Sequence, residues 1–283
     1  MLVDLVQTTT RDGIRLDGAY QTPARVPRGV DGVILVHGTG SNFYGSTLFD
    51  PLAERLLALG VGVLRINTRG HDLMSTAATA RGGRRCGAAY EVVDDCRHDL
   101  AAWIDLLAGR CGPNIALIGH SLGAVKCLYA MAAEPDDRVK KIVAISPPRL
   151  SHSWFLASER AMEFRDGYDR ARALVDAGEP GALLEVRIPL PFVVTAAGYV
   201  EKYGPDERYN YFGWIEKWTG SPLLTFGEIE MKNNMAFRDA ADAVERRFPR
   251  VRVATIAGAD HFYTGVRGPL IDWIVGGYLG LED

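Results

Sequence analysis

Ser121 lies between two glycines, each two residues away, in the run Gly119-His120-Ser121-Leu122-Gly123. This G-x-S-x-G pattern follows an apolar run and precedes a helical segment, which is the context of a serine on a sharp strand-to-helix turn. Such a turn holds the serine in a strained conformation, and the glycines let the neighbouring backbone approach closely. The pattern predicts that Ser121 is a nucleophile. The N–H of Leu122, at the start of the next helix, is expected to face a developing oxyanion.

A serine hydroxyl is a weak nucleophile until a base removes its proton. In the chain order that accompanies this kind of turn, the base follows the last strand of the sheet. We predict that His261 is the base, because an apolar strand over residues 251–257 leads into the loop that carries it. The remaining histidines fit this position less well and are expected to be structural; they are His37, His71, His98, His120 and His152.

A carboxylate is needed to fix the tautomer of the base and to stabilise the imidazolium that forms during attack. The preceding strand ends in Phe226-Gly227-Glu228-Ile229-Glu230, which offers two glutamates. We favour Glu230 as this acid, and Glu228 or an acid elsewhere in the chain remains an alternative. Asp260 is adjacent to His261, but neighbouring side chains on an extended segment point apart. Asp260 is therefore expected to brace the loop.

The elements that must position these residues alternate along the chain. An edge hairpin with its turn at Asp12-Gly13 is followed by alternating helices and strands. Strands are predicted over residues 3–10, 15–21, 33–36, 61–66, 115–118, 141–145, 223–226 and 251–257, and helices over residues 51–59, 92–107, 124–133, 235–247 and 269–278. This alternation predicts the α/β class, with a mostly parallel central sheet flanked by helices.

The alternation stops between residues 147 and 220, which predicts an inserted cap. The core then comprises residues 1–146 and 221–283. Aromatic residues are concentrated in the insertion, where they either line an apolar pocket for a bulky or aromatic substrate or attach the cap to the core. On the first interpretation, the substrate contacts are Tyr199, Tyr211 and Trp214.

Together these residues resemble the α/β-hydrolase superfamily, since Ser121, Glu230 and His261 follow that family's chain order. The resemblance covers nearly the whole chain. His37-Gly38-Thr39-Gly40 is similar to the family's H-G-x loop, which implies that the N–H of Thr39 is a second oxyanion donor beside Leu122. Residues 67–72 are similar to the family's R-G-x-G segment, although Asp72 stands where glycine is common. The acid is also glutamate where aspartate is commoner.

The resulting hypothesis is a serine hydrolase that cleaves a small-molecule carboxylic ester or thioester. An acyl-enzyme would form on Ser121, and His261 would activate the water that releases it. No metal or organic cofactor is implied. Alternatives on the same scaffold are an acyltransferase, a lyase, a carbon–carbon hydrolase or a non-catalytic ligand-binding protein, because a fold alone does not establish function.

Composition excludes several other classes. A net charge of −3 over 283 residues provides no basic surface for nucleic acid or anionic lipid. No run approaches the roughly 18 apolar residues of a membrane span, and the first residues lack the apolar segment of a signal peptide. The cysteines form no C-x-x-C pair and are expected to be free thiols; they are Cys86, Cys96, Cys111 and Cys127. We expect a cytoplasmic protein with no nucleic-acid or membrane partner.

Overall fold

A central sheet runs through the computed structural model, which describes residues 3–25 and 29–281. The strands, in chain order, are β1 (Asp4–Thr9), β2 (Arg15–Gln21), β3 (Gly32–Val36), β4 (Gly62–Ile66), β5 (Ser75–Thr79), β6 (Gly82–Cys86), β7 (Ile115–His120), β8 (Val139–Ile145), β9 (Leu183–Val186), β10 (Phe192–Thr195), β11 (Leu223–Gly227) and β12 (Arg252–Ile256). The α-helices are α1 (Phe49–Ala58), α2 (Cys96–Cys111), α3 (Leu122–Ala133), α4 (His152–Leu156), α5 (Ala161–Asp176), α6 (Ala196–Tyr203), α7 (Glu228–Asn233), α8 (Ala240–Arg247) and α9 (Arg267–Asp272). Two 3-10 turns (Val93–Asp95 and Tyr211–Gly213) and a π-helical segment (Trp273–Leu279) complete these elements.

Eight strands form the central sheet in the order β1-β2-β4-β3-β7-β8-β11-β12. The pairs β1/β2 and β2/β4 are antiparallel, and every other neighbouring pair in this sheet is parallel. Strands β3 and β7 are buried along their whole length, which accounts for their nearly uninterrupted apolar sequence. The predicted mostly parallel sheet is thus confirmed. The carboxyl ends of β7, β11 and β12 meet at one edge of it.

Apolar clusters cover both faces of the sheet, and alternate residues of β3 point to them. Ile34 and Val36 join one cluster, to which α2, α3 and α8 contribute. Val33 and Leu35 join the other, to which α1 and α9 contribute. This two-sided burial is the reason that the strand–helix alternation could be recognised in the sequence.

The fold differs from the sequence prediction in several places, among them the helix predicted over residues 269–278, which is α9 followed by the π-helical segment. The β5/β6 hairpin was not predicted, because its residues are mostly exposed and carry no apolar alternation. The helix predicted from residue 235 begins only at Ala240, since Asp239 has a left-handed backbone with φ of 55°. Helix α7 was not predicted, because it is only six residues long and starts directly after β11.

Residues 147–220, the predicted cap, connect β8 to β11, which are neighbours in the central sheet. This inserted segment contains α4, α5, α6 and the β9/β10 hairpin. Tyr199, Tyr203 and Tyr211 from this segment are buried and belong to the same apolar cluster as α3. A continuous apolar seam therefore joins the inserted segment to the sheet.

A buried charge cluster crosses the same seam. Glu91 forms an ion pair with Lys126 of α3, and the Nζ of Lys202, from α6, lies 3.8 Å from a carboxylate oxygen of Glu91. Lys126 also donates a hydrogen bond of 3.0 Å to the hydroxyl of Thr68. All three charged side chains are buried. Since unpaired charges are costly in a protein interior, the three groups depend on one another.

Within residues 3–25 and 29–281, no helix has the length and apolar content needed to cross a bilayer.

Candidate active site

Ser121 occupies the sharp turn between β7 and α3. Its backbone has φ of 55° and ψ of −125°, a strained conformation for a residue with a side chain. A Cβ at Gly119 would overlap the backbone of Gly123, and a Cβ at Gly123 would overlap the carbonyl oxygens of Val36 and His37. Both glycines are therefore required by close backbone packing, which fixes the turn that displays Ser121.

His261 lies in the loop after β12 and lines the same cavity as Ser121. Its Nδ1 is 2.8 Å from the Oε2 of Glu230. The imidazole is partly exposed, with 28% of its side-chain surface accessible, whereas the Glu230 side chain is 2% exposed. The structure thus brings together the nucleophile, base and acid candidates at the carboxyl edge of the sheet.

Glu230 is held by further hydrogen bonds to its other carboxylate oxygen. Oε1 accepts a bond of 2.7 Å from the backbone N–H of Gly227 and one of 2.5 Å from the hydroxyl of Ser146. The Oγ of Ser146 is in turn 3.0 Å from the hydroxyl of Tyr263, which is also 3.0 Å from the Oγ1 of Thr225. Both Ser146 and Tyr263 have left-handed backbones. Sequence reasoning missed this support, because no local pattern marks either residue.

Glu228 and Asp260, the other acids considered from the sequence, have different partners. Glu228 is paired with Lys232 at 2.7 Å and accepts a hydrogen bond of 2.9 Å from the N–H of Gly258. The Oδ1 of Asp260 accepts backbone N–H bonds, both of 2.9 Å, within the loop that carries His261. Glu228 and Asp260 therefore hold that loop at two places, and Glu230 is the acid that contacts the imidazole.

His120, directly before the nucleophile, contacts the base. Its Nε2 is 2.8 Å from the carbonyl oxygen of His261, and the two ring centroids are 4.7 Å apart. Burial, together with the neighbouring His261, lowers the pKa of His120 to about 3. The neutral ring then donates its Nε2–H to that carbonyl oxygen. His120 is a positioning residue for His261, a role that the spacing of the motif did not indicate.

The loop predicted to supply the second oxyanion donor lies beside Ser121. A Cβ built on Gly38 would be 2.9 Å from the Cβ of Ser121 and 3.5 Å from its Oγ. Thr39 and Leu122 both line the cavity. Leu122 is the first residue of α3, so its N–H has no acceptor within the helix.

His37 fixes the start of this loop from the buried side. Its Nδ1–H donates a bond of 2.8 Å to the carbonyl oxygen of Gly38, and its Nε2 accepts one of 3.1 Å from the N–H of Thr68. Burial and the nearby charge of Lys126 lower the pKa of His37 to about 3, so the ring is neutral. His37 therefore has a positioning role, as expected from the sequence.

The departure at Asp72 from the family's R-G-x-G pattern has a local explanation. Asp72 has φ of 56°, in the left-handed region that favours glycine. Its carboxylate accepts a hydrogen bond of 2.8 Å from the side-chain amide of Asn42. Aspartate tolerates this conformation better than most residues, so Asp72 can occupy a position that favours glycine.

A cavity of about 660 Å³ opens over Ser121 and His261. The apolar residues along it are Leu48, Leu122, Pro148, Leu150, Pro189, Leu190, Ala236, Phe237 and Phe262. Polar side chains are about as numerous, and several of them come from two loops, over residues 41–47 and 264–267. Its volume and lining suit a small organic molecule with an apolar portion.

The aromatic residues predicted as substrate contacts do not line this cavity, and their placement corrects that interpretation. The hydroxyl of Tyr199 donates to the carbonyl oxygen of Ile188 at 2.9 Å, and the indole of Trp214 donates to that of Arg208 at 3.0 Å. Tyr211 is fully buried. They pack within the seam because an insertion of this size needs its own apolar contacts. This placement agrees with the alternative interpretation, in which the aromatic residues attach the insertion to the core.

No group of three potential metal-ligating side chains occurs in the part of the chain that the structure describes.

Comparison with known proteins places the chain in a family. A model described as the alpha/beta hydrolase family matches residues 33–267. No curated protein sequence matches the chain. Solved structures are similar at low identity. Est1E from Butyrivibrio proteoclasticus, with ferulic acid bound, has a TM-score of 0.65 at 19% identity, over 94% of this chain and 95% of that one.

Two further structures show the same degree of similarity. The alpha/beta hydrolase GrgF from Penicillium sp. sh18 has a TM-score of 0.68 at 16% identity, over 95% of this chain and 96% of that one. An esterase from Pyrococcus furiosus has a TM-score of 0.61 at 19% identity, over 99% of this chain and 92% of that one. At such identities these structures establish the fold, and the family model covers most of the sequence. The chain therefore belongs to the alpha/beta hydrolase family.

Proposed function

We propose that this protein is a serine hydrolase that cleaves a small-molecule carboxylic ester or thioester through an acyl-enzyme on Ser121. The observation that carries the proposal is the contact between His261 and the buried Glu230, together with the strained Ser121, which lines the same cavity as His261. A nucleophile, a base and an orienting acid in this arrangement are what nucleophilic acyl transfer requires.

In the first half of the reaction, the Oγ of Ser121 attacks the acyl carbon while its proton passes to the Nε2 of His261. The carbonyl oxygen becomes an oxyanion, which the N–H groups of Thr39 and Leu122 stabilise. The tetrahedral intermediate then collapses. The bond from the acyl carbon to the leaving oxygen or sulfur breaks, and His261 returns its proton to the leaving group.

In the second half, a water molecule attacks the acyl-enzyme and gives a proton to His261. The bond between the acyl carbon and Oγ breaks, Oγ regains the proton, and the free acid leaves. Glu230 accepts the Nδ1–H bond throughout, which leaves the Nε2 lone pair available to Ser121. Because His120 donates to the backbone of His261, the imidazole is held from a second direction.

The substrate is proposed to be small, since the cavity has a volume of about 660 Å³ and contains many apolar side chains. The bound ferulic acid in Est1E, a neighbour in fold, supports a carboxylic acid as one product. We therefore expect the acyl portion of the substrate to occupy the apolar part of the cavity.

A fluorophosphonate probe tests this proposal, because it reacts with an activated serine and needs no knowledge of the natural substrate. Peptide mass spectrometry should locate the adduct on Ser121. Labelling should disappear in Ser121→Ala and fall strongly in His261→Ala. Ser46→Ala is the matched control, since Ser46 lines the same cavity and should leave the labelling site unchanged. An adduct that persists in Ser121→Ala would rule out Ser121 as the nucleophile.

A further inference from the structure

The cavity contains one permanently charged side chain among its described lining residues, and that side chain is Arg267. Neither aspartate nor glutamate occurs along this lining. Arg267 begins α9, on the chain segment that follows His261. Arg267 is therefore the one fixed charge along the described lining, and surrounding apolar groups strengthen its field because they lower the local dielectric constant.

The guanidinium of Arg267 has only neutral partners within residues 3–25 and 29–281. Nη1 donates to the carbonyl oxygen of Thr47 at 2.8 Å, and Nη2 donates to its hydroxyl at 2.9 Å. The Nε is buried and has no hydrogen-bond partner in that part of the chain. Arg69, a buried residue, contrasts with the partly exposed Arg267 because carboxylates surround its guanidinium.

Within residues 3–25 and 29–281, no carboxylate forms an ion pair with Arg267, and only part of its hydrogen-bonding capacity is satisfied. A guanidinium has five N–H donors, and its bonds to Thr47 use two of them. The bonds to Thr47 also fix the orientation of the group toward the loop over residues 41–47. A planar guanidinium held in this way is suited to a carboxylate, which can accept two parallel hydrogen bonds.

We propose that the substrate carries a carboxylate in addition to its scissile acyl group, and that Arg267 binds it. This inference rests on the proposed serine hydrolase and narrows its substrate class to half-esters, half-thioesters and other carboxylate-bearing esters. A single cation matches a monoanion such as a carboxylate. The apolar side chains of the cavity then contact the carbon chain that links this carboxylate to the scissile acyl group.

The test compares two fluorophosphonates with alkyl chains of equal length, one ending in a carboxylate and the other in its methyl ester. Chains of several lengths are used, and the rate of Ser121 labelling is measured at constant ionic strength. The wild-type protein should react faster with the carboxylate probe of the best length by roughly 10- to 100-fold, the effect of one charge-assisted hydrogen bond. The net charge of −3 opposes this preference, so a general electrostatic effect would act in the other direction.

Substitution of the arginine shows whether it is the origin of the preference. Arg267→Gln should remove most of it, and Arg267→Lys should keep part of it, because the charge stays while the planar donor pair is lost. Arg250→Gln is the matched control. Arg250 is exposed and, like Arg267, donates to a backbone carbonyl oxygen, that of Thr219 at 3.0 Å, but it does not line the cavity. Thermal unfolding of each variant confirms that it is folded.

Each result has a defined meaning. Equal labelling by the two probes at every length, or faster labelling by the methyl ester, would overturn the carboxylate site. A preference that survives in Arg267→Gln would overturn the assignment of this arginine. If neither probe labels Ser121 in the wild-type protein, the serine hydrolase itself is wrong, and the inference fails with it.

Discussion

His261 is oriented by one contact to its ring and another to its backbone. Glu230 accepts from the ring nitrogen Nδ1, and His120 donates to the backbone carbonyl oxygen. The first contact sets the tautomer, and the second sets the position of the loop. This division means that the two residues should affect different measurements, so that each can be tested separately.

Substitution of each glutamate in turn should show whether Glu230 or Glu228 acts as the acid. Glu230→Gln keeps the size of the side chain but can present an N–H toward Nδ1, which favours the wrong tautomer, so kcat should fall on the order of 10⁴-fold. Glu228→Gln, the matched control, alters a side chain that contacts Lys232 and Gly258, and kcat should change by less than about threefold. Steady-state kinetics on a cleaved ester measures both. A larger loss in Glu228→Gln would assign the acid role to Glu228.

The buried His120 should make stability depend on pH. Its pKa is about 3 in the folded protein and about 6.5 when unfolded, so the unfolded state binds a proton first as the pH falls. The stabilising contribution is complete above about pH 6.5 and decreases toward pH 3. In His120→Gln this loss is absent. Relative to the variant, the wild-type protein should therefore lose roughly 2 to 3 kcal/mol between pH 6.5 and pH 4.5.

Urea unfolding of both proteins at the two pH values measures this difference. If the wild-type protein and His120→Gln differ in free energy of unfolding by the same amount at both pH values, His120 is not a neutral, buried group.

Among the residues of the site, sequence reasoning was most informative where the chemistry depends on chain order. Ser121, Glu230 and His261 could be singled out because each follows a recognisable strand. Ser146, Tyr263 and Arg267 could not, since their roles depend on contacts between residues far apart in the chain. His120 was visible in the motif, but its contact with His261 required the three-dimensional arrangement of two loops.

At the scale of elements, the turn between β7 and α3 depends on how closely backbones approach. Gly123→Ala would place a Cβ against the carbonyl oxygens of Val36 and His37, neither of which is a flexible side-chain end. We expect a loss of about 3 kcal/mol in the free energy of unfolding, the upper part of the usual range for overpacking. The displaced turn should also react more slowly with the fluorophosphonate.

Gly109→Ala is the control for this substitution. Gly109 lies in α2, and a Cβ added there would meet no neighbouring atom. Because alanine favours helix more than glycine does, this variant should gain about 0.5 to 1 kcal/mol of stability without a change in labelling. Chemical denaturation of the two variants measures both effects. Equal stability changes would show that the turn is not tightly packed.

The elements themselves were predictable to the extent that burial left a recognisable apolar pattern. Strands β3 and β7 have one, a continuous apolar run, because they are buried on both faces. The β5/β6 hairpin and α7 lack one, since the first is mostly exposed and the second is short. The late start of α8 follows from the left-handed backbone of Asp239, and the residue type alone does not determine that conformation.

At the scale of the whole molecule, the inserted segment and the sheet share the buried cluster of Glu91, Lys126 and Lys202. Glu91→Gln would leave two buried ammonium groups without their carboxylate. The expected loss is about 3 to 5 kcal/mol in the free energy of unfolding, typical of a broken buried ion pair. Lys126 belongs to the helix after Ser121, so the labelling rate should fall as well.

Glu159→Gln is the control, because Glu159 forms an exposed pair with Arg238 at 2.7 Å. Exposed pairs contribute little, so its unfolding midpoint should stay close to that of the wild-type protein. Thermal and urea unfolding compare the two variants. If Glu91→Gln unfolds like Glu159→Gln, the cluster does not hold the inserted segment to the sheet.

The left-handed backbone of Ser121 has a consequence for how this protein can change over generations. Glycine would relax this backbone, yet in the proposed mechanism the Ser121 side chain is the nucleophile. A gain in heat resistance is therefore available at the residue that serves the proposed reaction. A population selected only for survival at high temperature would accumulate glycine there and lose its chemistry, whereas selection for turnover keeps the strain.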